Sequence, residues 1–74
     1  MIGTPERILD LPSDEREAYR ALRNAGGRST LTPKADKVIA VQLGWRLARY
    51  TAAMDALALR GFVRGTPEAR HVRE

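Results

Sequence analysis

Leu43-Gly44-Trp45-Arg46-Leu47-Ala48-Arg49-Tyr50-Thr51-Ala52-Ala53-Met54-Asp55-Ala56-Leu57-Ala58-Leu59-Arg60-Gly61-Phe62-Val63 is the stretch of this 74-residue chain on which the fold is decided. Gly44 supplies the left-handed residue of a tight turn, and Leu43 and Trp45 flank it as apolar anchors. Ala40, four residues earlier, is small where two helices must cross closely. Past the turn, Tyr50, Met54 and Leu57 recur three and four apart, the spacing of a buried helical stripe. A helix is therefore expected over 46–60, roughly 22 Å long and able to lie in a groove. Gly61 stops it, and Phe62-Val63-Arg64 changes the period to that of a strand.

Upstream, Thr32-Pro33 reads as a start signal, a capping hydroxyl followed by proline in the first turn. Ala35, Val38, Ile39 and Leu43 then form the buried stripe of a helix over 33–42. Ser29-Thr30-Leu31 is a short extended stretch. Before it, Ser13 is an N-cap, with Asp14, Glu15 and Glu17 on the positive end of the dipole. Ala18, Tyr19, Leu22 and Ala25 line one side of a helix over 14–25, with Arg16, Arg20 and Arg23 on the other, and Asn24-Ala25-Gly26-Gly27 ends it. Residues 1–12 form an N-terminal arm, with Ile8, Leu9 and Leu11 packing on a domain that spans 13–74. Downstream, Arg70-His71-Val72-Arg73 pairs with 62–64 around a Gly65–Ala69 loop. The fold class is mainly α with a small β-hairpin: three helices and a two- to three-stranded wing.

A chain this short holds one domain with a small core. It has no cysteine, hence no disulfide framework and no thiolate metal site, which fits a reducing cytoplasm. No apolar run reaches the length of a membrane span, and the N-terminus does not read as a signal peptide. Met1 fits a free-standing small protein. Catalysis lacks a nucleophile–base pair and a phosphate-cradling loop, so no enzymatic activity, metal, cofactor or small-molecule substrate is expected. The net charge is +4, and eleven of the 13 basic residues are arginine, whose planar fork suits guanine edges and phosphates. A GC-rich genome gives the same arginine bias. Residues 34–74 hold eight basic and four acidic side chains, which is the whole excess.

The stretch 43–63, within a broader span of 14–73, resembles the turn, recognition helix and first wing strand of bacterial winged helix-turn-helix DNA-binding domains. The family usually carries a β-branched residue or leucine where Tyr50 stands, and polar residues at Leu47 and Ala48. A tyrosine fills that place if its hydroxyl reaches the rim. The resemblance implies a nucleoid-associated DNA-binding protein, a sequence-specific transcriptional regulator. Helix 33–42 would brace the backbone, helix 46–60 enter the major groove, and hairpin 62–73 meet phosphates or the minor groove. It also implies that Arg46, Arg49, Thr51 and Ala52 face the bases, with Asp55 further along either orienting an arginine or limiting contact. Lys34, Lys37, Arg64, Arg70 and Arg73 are candidate phosphate contacts, which position without specifying. Trp45 belongs to the core and His71 to a surface strand.

Two other readings use the same residues. One is a phage or plasmid winged helix that binds a host protein, suggested by the alanine-rich last helix with Leu47 and Leu59 outside the core. The other is the DNA-reading domain of a translocase or replication protein. Many regulators of this family work as homodimers on inverted half-sites. Leu59 and the apolar arm are the candidate contacts.

Overall fold

A computed structural model describes residues 10–28 and 30–73. Three helices, α1 (Ser13–Asn24), α2 (Asp36–Leu43) and α3 (Leu47–Arg60), precede two strands, β1 (Val63–Thr66) and β2 (Ala69–Val72). The strands pair antiparallel, with Val63 opposite Val72 and Thr66 opposite Ala69. This is the expected winged-helix-like layout of three helices and a hairpin. The third strand is reduced to a single bridge, Lys34 with Arg70. It lies beyond the anticipated Ser29–Leu31: Thr30 and Leu31 form a turn, and Ser29 is outside the described residues.

That bridge explains where α2 begins. Lys34 and Arg70 exchange both backbone hydrogen bonds at 2.8 Å, and the Asp36 amide donates to the Pro67 carbonyl at 2.8 Å. Residues 33–35 are thereby held extended, and α2 starts three residues later than its capping signal suggests. The Thr32 hydroxyl donates instead to the Gly26 carbonyl. Ala35 is the N-cap, with no side-chain cap bond. The later start also changes which face is buried. Asp36, Ile39 and Ala40 are the buried residues of α2, while Val38, expected inside, is 46% exposed. At the start of α1, Ser13 is already helical and Pro12 occupies the cap position, its carbonyl accepting from the Arg16 amide.

The core lies where the three helices and the hairpin meet. Ala18 and Leu22 of α1, Ile39 and Ala40 of α2, Tyr50, Met54 and Leu57 of α3, and Val63 and Val72 of the hairpin are buried together. Leu11 joins them from the arm, whereas Ile8 and Leu9 lie outside the described residues. Two glycines are required by geometry. Gly44 turns the chain between α2 and α3 at φ +72°, and Gly65 sits at φ +107°, where a Cβ would lie 2.0 Å from the Ala69 carbonyl oxygen. With Thr66 opposite Ala69, only Pro67 and Glu68 connect the strands, a shorter loop than the Gly65–Ala69 anticipated.

Tyr50 fits its place differently from the expectation. Its side chain is fully buried, and the hydroxyl meets no hydrogen-bond partner among the described residues instead of reaching the rim. Burial, with Asp36 nearby, raises the phenol's pKa above its ordinary value of 10. An unsatisfied buried hydroxyl costs about 1–3 kcal/mol. Tyr50→Phe should therefore leave stability unchanged or raise it by about 1 kcal/mol in urea denaturation, against the loss usual for core substitutions. A loss above that amount would mean that the hydroxyl is hydrogen-bonded in solution.

A buried ion pair joins α2 to β2. Arg70 Nε donates to both oxygens of Asp36 at 2.9 and 3.1 Å, and Arg70 Nη2 donates to Asp55 Oδ1 at 2.9 Å. Burial pushes the Asp36 carboxyl up from its ordinary 3.8, with Arg70 and the Thr51 hydroxyl pulling the other way. Removing Asp36 leaves the buried Arg70 with only the exposed Asp55 as partner, and breaking a buried pair costs about 3–5 kcal/mol. Asp36→Ala is accordingly expected to lower the unfolding free energy by about that amount. The double variant Asp36→Leu/Arg70→Met should recover most of it. A double variant no more stable than the single one would show that the pair holds the fold by more than avoiding a lone charge.

Candidate nucleic-acid interface

Helix α3 has no acidic residue in its first turn to offset its positive dipole end, and Arg46 stands at its N-cap. The helix has two occupied edges. Toward α1, Arg49 meets Asp14 and Arg60 meets Glu15. Toward α2 and the hairpin, the Thr51 hydroxyl donates to Asp36 Oδ2 at 3.0 Å and Asp55 meets Arg70. Ala48, Ala52, Asp55 and Leu59 are exposed between these edges at helical spacing, and they make up the outward face. That face is mostly small and apolar, and its one charged side chain is an acid.

Of the four residues expected to face bases, Arg46 and Ala52 are exposed as anticipated. Thr51 is set back: it is half-buried and its hydroxyl is committed to Asp36. Arg49 retains solvent exposure but is held on two sides. Its Nε donates to Asp14 Oδ2 at 2.9 Å and its Nη2 to Asp14 Oδ1 at 2.7 Å. Its guanidinium carbon lies 3.8 Å from the centroid of the Trp45 ring, a cation–π distance. Trp45 is half-buried and sets its other contact edge-on against Tyr50, the ring centroids 6.4 Å apart.

Of the five candidate phosphate contacts, Lys37, Arg64 and Arg73 are exposed and Lys34 is half-buried. None of these four side chains enters a salt bridge among the described residues, and neither does Arg46. Arg70 is the correction. Its side chain is 3% exposed and both ends of its fork are taken by Asp36 and Asp55, so it is an internal strut and unavailable to a phosphate. Strand alternation explains it: Arg70 and Val72 share the buried side of β2, while Ala69 and His71, on the other side, are only partly covered. Asp55 does orient an arginine, and that arginine is Arg70. Asp36 is the functional neighbour that sequence reasoning missed, because an acid in a first helical turn is accounted for by the dipole alone.

The N-termini of α2 and α3 and the hairpin loop enclose a shallow groove of about 160 Å³, lined by Ala35, Lys37, Leu47, Thr51, Pro67 and Glu68. A second opening lies beside Arg49, lined by Asp14, Glu15, Ala52 and Ala53. Among the described residues, no three His, Cys, Asp or Glu side chains cluster as metal ligands, and no helix is long and apolar enough to cross a membrane.

The Arg49 clamp has a pH signature. Hydrogen bonding to Arg49 is the main cause that holds the Asp14 carboxyl below 3.8, and the same bond raises the Arg49 pKa. A carboxylate with a lowered folded-state pKa contributes above its unfolded value, and the contribution is lost as pH falls through the folded one. The hydrogen bond from Arg49 Nε should therefore be present at neutral pH and weaken as pH falls through the lowered Asp14 pKa. Arg49→Ala should bring the Asp14 midpoint, followed by carboxyl NMR, back to the ordinary range. A midpoint indifferent to Arg49→Ala would show that the clamp does not persist in solution.

No family model, curated protein or solved structure matches this chain.

Proposed function

We propose that the protein binds double-stranded DNA as a winged helix-turn-helix domain and acts as a sequence-specific regulator of transcription. In this reading α3 enters the major groove and the hairpin approaches phosphates or the minor groove. The observation that carries it is the separation of charge around α3. The acids Asp14, Glu15, Asp36 and Asp55 are drawn into ion pairs with Arg49, Arg60 and Arg70. Lys34, Lys37, Arg46, Arg64 and Arg73, at the starts of α2 and α3 and on the hairpin, keep their charge for an external anion. These five residues supply phosphate contacts that fix register. The outward face of α3 supplies few hydrogen-bond donors, so base readout falls on a small number of side chains.

A second reading, an interaction module for another protein or for a second copy of the chain, is favoured by one observation. Leu59 is 91% exposed on the outward face of α3, and Val41 is 79% exposed on α2. Leu47, 50% exposed, lies at the opposite end of α3 from Leu59. These apolar side chains are thus scattered singly, as is ordinary, and the charge distribution favours the DNA-binding reading.

An electrophoretic mobility shift on random duplex DNA at low salt tests the choice. Micromolar protein should shift the duplex, and log K should fall against log salt with a slope of about −4 to −5, for about five neutralised phosphates. Arg64→Ala should weaken binding to all duplexes alike and reduce the slope by about one. Leu59→Glu should leave the protein folded and at the same mass by light scattering. No shift at micromolar protein, with a loss of mass in Leu59→Glu, would replace the DNA reading by the interaction reading.

A further inference from the structure

We propose that Asp14 and Trp45 position Arg49 to read a guanine base, so that a residue of α1 sets the sequence preference of α3. This rests on the DNA-binding reading above. A guanidinium has two hydrogen-bonding edges, one made by Nε and a terminal nitrogen and the other by the two terminal nitrogens. Asp14 occupies the first edge, accepting from Nε at 2.9 Å and from Nη2 at 2.7 Å. Trp45 covers one flat face, with the guanidinium carbon 3.8 Å from the ring centroid. What remains is the second edge, with one N–H on each terminal nitrogen. Two parallel donors match the O6 and N7 acceptors of guanine in the major groove. The Arg49 side chain is 49% exposed, and its hydrogen bonds run to Asp14 alone, through the first edge.

The surroundings favour a base edge over a phosphate at this position. Asp14 pairs with Arg49, and the charge of Glu17 also acts on it. Glu15 lines the same opening. An approaching phosphate meets those carboxylates, whereas the guanine edge carries no net charge. Ala52, exposed next to Arg49 in that opening, is small enough for a base pair to approach the helix closely. Holding Arg49 in one place before binding removes rotamer freedom that would otherwise be lost on contact. Asp14 is thus a positioning residue, acting through Arg49 without touching the nucleic acid.

The test is selection of bound sequences from a random duplex library, carried out with the whole chain and with three variants. The parent should select guanine at one position or more. Arg49→Ala should erase the preference at one of these, a change of about 5- to 150-fold in the ratio of guanine to other bases, the range a bidentate arginine–guanine pair supplies. Asp14→Asn should flatten the same position while leaving thermal unfolding and the salt slope near those of the parent. Asp14→Asn/Arg49→Ala should show no further change. Asp14→Asn with the parental preference would overturn the proposal, as would Asp14→Asn binding every duplex more tightly, which would make Asp14 a competitor for Arg49. A parent that binds DNA without base preference overturns this inference alone. A parent that binds no duplex overturns the DNA-binding reading with it.

Discussion

The buried pair between Asp36 and Arg70 is the constraint on which the arrangement of this domain depends. Two four-residue strands joined by a two-residue loop are marginal by themselves in water. Here the hairpin is tied down at several points around one side chain. Arg70 exchanges backbone hydrogen bonds with Lys34, holds Asp36 with its Nε and reaches Asp55 with its Nη2, while Pro67 accepts from the Asp36 amide. One arginine therefore fixes the start of α2, the lean of the hairpin and the middle of α3 relative to one another. Hydrophobic contacts between the same elements would supply comparable free energy but without direction. A forked donor between two carboxylates admits few geometries, and that is what sets the hairpin beside the N-terminal ends of α2 and α3.

The constraint has consequences in the core. Asp36 and Thr51 form a polar patch next to apolar packing, and Tyr50 lies close enough for the Asp36 charge to act on its phenol. Its hydroxyl is nevertheless left without a partner, while its ring fills the space between the helices and meets Trp45 edge-on. The small size of the domain explains the compromise. With so few large side chains to bury, the ring at the helix crossing contributes area that the core needs. The stabilisation from burying it exceeds the cost of the unsatisfied hydroxyl it carries, a cost that phenylalanine would avoid.

Helix order, the Gly44 turn, the extent of α3 and the presence of a hairpin were all legible, because they rest on local signals: apolar spacing, and glycines at φ +72° and +87° for Gly44 and Gly61. What was not legible depends on contacts between distant residues. Thr32-Pro33 is a sound capping signal, but pairing between Lys34 and Arg70 across 36 positions holds the following residues extended and delays α2. Val38 then leaves the core because the buried face follows the true start of the helix. Arg70 shows the same limit for the site. Alternation with Val72 is the one local hint that Arg70 turns inward, but only the placement of the distant Asp36 and Asp55 makes it a strut instead of a phosphate contact. Arg46 and Ala52 were legible as exposed positions because one helical face suffices to place them.

Three arginines of residues 34–74, one on α3 and two on the hairpin, thus have different physical characters. Arg70 is buried, paired with two carboxylates and out of reach of an external ligand. Arg49 is engaged along one edge and one face, so its charge is largely balanced while three N–H groups, two of them along its second edge, remain uncommitted. Arg64 meets no carboxylate among the described residues and presents its full charge. The net charge of +4 consequently understates the field at the hairpin and the helix starts and overstates it along the outer face of α3. In the proposed DNA-binding reading, an anionic polymer would be drawn to the rim of α3 by Lys37, Arg46 and Arg64. It would then meet Arg49, whose balanced charge suits directional recognition better than bulk attraction. That reading assigns affinity and selectivity to different side chains, and the acidic residues, fewer than the basic ones, make the difference between them.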